Sequence, residues 1–174
     1  MKHPLEFIPQ NLRKTLFFVF LAFTLIIFGV FRVLDQPLRT SSAPNGIVSF
    51  ELARTTNASQ AMVNSWDDNA RLFAAFGLGM DYLFMPVYAL ALSFGLLLAG
   101  SGKAKWLQVL TTWLGWGAIL AALFDAVENY ALWHILIGTV HSSFPQVAAI
   151  CATIKFILLL LGLAGAILGW VVRK

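Results

Sequence analysis

Four ionisable residues stand inside otherwise apolar stretches of this sequence: Asp81, Asp125, Glu128 and Lys155. A charge in a bilayer core is costly and as a rule faces the protein interior, where it pairs, moves a proton or holds a ligand. The run Asp125-Ala126-Val127-Glu128-Asn129 places two carboxyls and an amide at i, i+3 and i+4, on one helix face. Such a set can bind a small polar or cationic ligand or a lipid head group, or keep a proton on a carboxyl of raised pKa. Lys155 can pair with one carboxylate and tune the others. With all four ionised, three acids against one base leave −2. Low dielectric opposes that charge, so a carboxyl stays protonated or a cation is bound. Tyr88 and Asn129 add neutral groups that can orient a ligand.

Spacing predicts that these residues share a centre. In the second apolar segment Ala74, Gly77, Asp81, Met85, Tyr88, Leu92, Gly95 and Ala99 follow a 3-4 alternation. Gly115, Ala118, Ala122, Asp125, Asn129 and Leu132 do so in the third, and Ala148, Ala152, Lys155, Leu159, Gly162, Ala166 and Gly169 in the fourth. That alternation keeps residues on one helix face, and small residues there permit close packing in lipid. Asp81 precedes Lys103 by 22 residues, Asp125 follows Lys105 by 20, and Lys155 precedes Arg173 by 18. At 1.5 Å per residue all three lie roughly 27–33 Å from those basic markers, in one layer towards the outer leaflet.

The elements that must hold them are four apolar segments, predicted as spans over about 15–32, 72–100, 106–138 and 145–172. Each reaches the roughly 20 residues that cross a bilayer, and only helix satisfies its own backbone there. The expectation is an all-α integral membrane four-helix bundle in one membrane domain. Of the 174 residues 59% are hydrophobic and 11% charged, which excludes a disordered tail, a nucleic-acid module and an ordinary cytosolic enzyme. The first segment starts like a signal peptide, but its apolar run is too long and its small-residue exit is followed by Pro44. It is read as an uncleaved anchor.

Lys2, Arg13 and Lys14, then Lys103 and Lys105, then Arg173-Lys174 fall on one side of four spans. The positive-inside rule places both termini in the cytoplasm. The net charge of +4 is thus mainly a topology signal, with no nucleic-acid partner implied. The outer loop, 33–70, contains a turn at Pro44-Asn45-Gly46. Ile47 to Leu52 alternates like a short strand. Thr56 or Asn57 can cap a following helix that carries Trp66 and runs on into the second span. Glu51, Trp66, Asp67 and Arg71 are candidates for a lid over the polar layer.

Other signals are weaker. Pro86 removes a hydrogen bond from the carbonyl of Tyr82. His134 and His141 read as interfacial residues. The lone Cys151 forbids an internal disulfide. No phosphate loop, nucleophile elbow or metal-ligand spacing is present, so the sequence identifies neither a cofactor nor a metal site. Asp81-Tyr82-Leu83-Phe84 with Tyr88, the Asp125–Asn129 run and Lys155-Phe156 resemble small four-helix integral membrane proteins of bacteria. The resemblance covers the last three helices, implies the inner membrane, and carries no activity. Three readings remain: a binding, transport or sensing site for a small molecule or lipid; an intramembrane enzyme with a carboxyl as general acid or base; and an assembly subunit whose charges lock the bundle. The lipid bilayer is the expected surrounding partner, and self-association is left open.

Overall fold

The structure is a computed structural model and describes residues 1–139 and 141–172. Val140, at the far end of the third apolar segment, and the topology marker Arg173-Lys174 lie outside the described residues. The described residues form six α-helices and no strand. They are α1 (Gln10–Leu34), α2 (Ile47–Glu51), α3 (Thr56–Ser65), α4 (Asp68–Gly100), α5 (Lys105–Leu136) and α6 (Phe144–Val171), with a 3-10 turn at Gln36–Leu38 after α1. Four of them, α1, α4, α5 and α6, are long and apolar enough to cross a membrane. The all-α expectation holds; α1 and α4 begin five and four residues before the predicted spans, and α5 and α6 match theirs to within two residues at each end. Their outer faces are apolar. Along α1 only Ile27 is buried, while Phe18, Phe23, Leu25 and Ile26 are more than half exposed. A surface of that kind suits lipid rather than water.

The chain divides into two compact units, each drawing on all four long helices. The first comprises Met1–Leu25, Met85–Leu123 and Lys155–Lys174. Glycines on α6 set its packing. Gly162 lies against Leu92, Gly165 against Leu114 and Leu96, and Gly169 against Ala99. A Cβ on Gly165 would overlap the Leu114 side chain. Missing side chains let helices approach, which drives association in lipid, where apolar burial gives no advantage. Phe20 and Phe94 stack at 6.1 Å between centroids. Ser93 Oγ donates to the Gly115 carbonyl at 3.3 Å, which ties α4 to α5.

The second unit comprises Ile26–Phe84 and Phe124–Ile154. Its core joins Leu38, Phe50 and Trp66 from the outer segment to Ala74 and Leu78 of α4, Leu132 of α5 and Ala148 of α6. The predicted outer loop is therefore a folded roof. Its turn at Pro44-Asn45-Gly46 is present, but Ile47–Glu51 is helical, which corrects the strand expectation. The same residues satisfy both periods. A helix puts Ile47, Phe50 and Glu51 on one face, and Phe50 and Glu51 are buried while Val48 and Leu52 are exposed.

α3 is capped by Thr55, whose side chain accepts from the Ala58 amide at 3.2 Å, one residue ahead of the predicted cap. It does not run into α4. Asp67 Oδ1 accepts from the Ala70 amide at 2.7 Å and starts a new helix. Trp66 bridges the two in extended conformation, with φ −90° and ψ 130°. Trp66 is 2% exposed, whereas the other five tryptophans are each at least 41% exposed.

Candidate functional site

α5 carries the acidic run as spacing predicts. Asp125, Glu128 and Asn129 are 2%, 0% and 1% exposed, while Val127 among them and Tyr130 after them face outwards. Helical spacing at i, i+3 and i+4 puts the three polar groups on the inner face and leaves no side chain of theirs outside. Asn129 then reaches α4. Its Nδ2 donates to the Leu78 carbonyl at 3.2 Å and to Asp81 Oδ2 at 2.9 Å. Both hydrogens of the amide are used, so Asn129 fixes α5 against α4 and holds the Asp81 carboxylate. Tyr82 adds a longer contact, its hydroxyl donating to the Ala126 carbonyl at 3.4 Å. Within the second unit the structure thus brings Asp81 and Asn129 together, with Asp125 and Glu128 buried on the same α5 face as Asn129.

Tyr88 and Lys155 belong to the first unit, and both are buried there, 7% and 5% exposed. The Lys155 ammonium lies 4.8 Å from the centroid of the Phe156 ring, a favourable cation–π placement. Three of the four lid candidates lie in the roof, and Arg71 lies in the first turn of α4. Glu51 is buried in α2, Trp66 Nε1 donates to the Leu38 carbonyl at 2.8 Å, Asp67 caps α4, and Arg71 Nε donates to the Val63 carbonyl at 3.2 Å. Trp66, Asp67 and Arg71 therefore hold the roof's backbone in place.

Three features escaped the sequence. Asp35 organises the turn before α2: Oδ1 accepts from the Ile47 amide at 2.8 Å and Oδ2 pairs with Arg39 at 3.0 Å. The i, i+4 Asp–Arg spacing was its one visible sign. His134, His141, Tyr130 and Phe144 form a ring cluster, with His134 4.6 Å from Tyr130 and 5.4 Å from Phe144. The two histidines thus act as aromatic packing.

The third feature is the segment before α1, which folds onto the first unit. His3 is buried, its Nδ1 accepting from the Leu5 amide at 3.2 Å and its Nε2 lying against Gly115. Trp116 Nε1 donates to the Lys2 carbonyl at 3.1 Å. Burial pushes the His3 imidazole down to about 4; Glu6 opposes that shift and Arg13 adds to it. The unfolded ring titrates near 6.5. The attachment is therefore complete above about pH 6.5 and is lost progressively as pH falls towards 4. Protonation of Nδ1 also removes the acceptor of the Leu5 amide. Hydrogen exchange at Leu5, corrected for the intrinsic rate, should lose protection between pH 7 and pH 4. Constant protection would contradict this reading of His3.

Among the cavities of the first unit are one of about 560 and one of about 330 Å3. The larger is polar and lies beside His3, Glu6, Arg13, Lys105 and Gln108; neither is lined by any of the six predicted ligand residues. No protein-family model, curated protein or solved structure matches the chain.

Proposed function

We propose that this is a multi-pass protein of the bacterial inner membrane with both termini in the cytoplasm. Its acidic α4–α5 face in the second unit binds a small polar or cationic ligand, or a lipid head group. The observation that carries the reading is the burial of Asp125 and Glu128, one turn apart, in a helix of membrane length. Asn129 supplies the tie to α4 through its amide. Ionisable residues buried in a spanning helix commonly mark a ligand or ion pathway, and a cationic or hydrogen-bonding ligand suits an acidic face. The orientation follows from Lys2, Arg13, Lys14, Lys103 and Lys105.

The Asn129 contacts favour one other reading, a register lock without a ligand. Native mass spectrometry of wild type, Asp125→Asn and Glu128→Gln in mild detergent separates the two. A charged hydrogen bond contributes about 1.5–3 kcal/mol. The binding reading therefore expects a small-molecule adduct on wild type that falls by roughly tenfold or more in each variant, with helix content unchanged. Equal adduct levels in all three proteins, with lowered thermal stability in the variants, would establish the lock.

A further inference from the structure

The 330 Å3 groove of the first unit has apolar walls from Phe17, Phe18, Leu98 and Trp170, and two charged residues at its edge, Lys14 and Lys103. Gly169 and Ala99, in close contact with each other, also line it. Any side chain at 169 would meet the Ala99 Cβ and backbone, so the glycine lets α6 approach α4 beside the groove. Lys103 sits in the turn after α4, and its Nζ donates to the Val172 carbonyl just beyond α6. That bond fixes the ammonium beside the groove. A carbonyl is neutral, so the positive charge remains. Among the described residues, no acidic one lines the groove.

Two ammonium groups above an aromatic and aliphatic slot suit one kind of molecule, an anion with an apolar tail. Basic recesses between membrane helices bind anionic lipid head groups on these grounds. A zwitterionic lipid brings its own cation and gains less. Free phosphate gains nothing from the walls. The volume is at the small end for ligand sites, enough for a phosphate and the upper part of a chain. We infer that this groove is a binding site for an anionic phospholipid, its phosphate between Lys14 and Lys103 and its chain along Phe17, Phe18 and Trp170. None of these residues belongs to the acidic face of the second unit, so the two sites are independent.

The test is native mass spectrometry of the full chain in detergent, titrated with phosphatidylglycerol and with phosphatidylcholine of identical chains. A basic residue at a membrane surface is worth about 1 kcal/mol towards an anionic lipid, so two lysines predict a preference of roughly tenfold to thirtyfold. Lys14→Gln/Lys103→Gln should reduce phosphatidylglycerol binding to the phosphatidylcholine level. Lys14→Arg/Lys103→Arg should keep the preference, which controls for a variant that fails to fold. Equal binding of the two lipids by wild type, or a preference surviving in the folded glutamine variant, overturns the site. So does displacement of phosphatidylglycerol by millimolar inorganic phosphate, which would mark an ion site with no role for the slot.

Discussion

Replacing Trp66 with alanine is expected to destabilise the protein by about 3–5 kcal/mol, the range for removing a large buried aromatic. Three losses combine. The indole is 2% exposed and sits in the core that joins the roof to α4, α5 and α6. Its ring meets Phe50 edge-on at 5.2 Å, a geometry that adds to simple burial. Its Nε1–H is the donor to the Leu38 carbonyl, which loses that partner in the variant. Trp66→Phe keeps the first two contributions in part and removes only the hydrogen bond, so its cost should be nearer 1–3 kcal/mol, about that of an unsatisfied buried polar group. Unfolding titrations in mixed micelles measure both. Equal loss in the two variants would show that the ring's burial carries little, and a loss below about 1 kcal/mol for alanine would remove Trp66 from the core altogether.

Gly46→Ala should cost about 2–4 kcal/mol for reasons of backbone and space together. Gly46 has φ 58° and ψ −129°, a region that L side chains rarely adopt. A Cβ there would also overlap the Asp35 carboxylate. Asp35 cannot move without giving up the Ile47 amide, which begins α2, and its pair with Arg39. Strain of about 1–3 kcal/mol and a lost hydrogen bond then fall on the same turn. Circular dichroism and unfolding of the Gly46→Ala protein check this; an unchanged midpoint would mean that the turn relaxes without resistance.

The long helices were legible because hydropathy over about 20 residues has few alternative explanations. The inward face of α5 was legible because helical spacing alone decides which of Asp125, Val127, Glu128, Asn129 and Tyr130 share a side. The roof was not. Ile47 to Leu52 fits period 2 and the i, i+3, i+4 pattern equally, and six residues are too few to separate them. The break at Trp66 depends on Asp67 turning its carboxylate back to Ala70; a sequence shows only that an aspartate is there. Spacing puts Asn129 among ligand-orienting groups, and nothing in the chain's order reveals that Leu78 and Asp81 lie within reach of its amide. Such contacts are set by how helices are rotated against each other, and local spacing carries no information about that.

The burial pattern of the tryptophans has an optical consequence. Five of the six indoles are open to whatever surrounds the protein, and Trp66 is sealed. In vesicles containing brominated lipid or a membrane-soluble quencher, the five lose emission and Trp66 keeps it. The residual fluorescence is then a label, already present in the native chain, for the roof of the second unit. Its colour and decay report whether that roof stays closed when conditions or added molecules change, with no dye to attach.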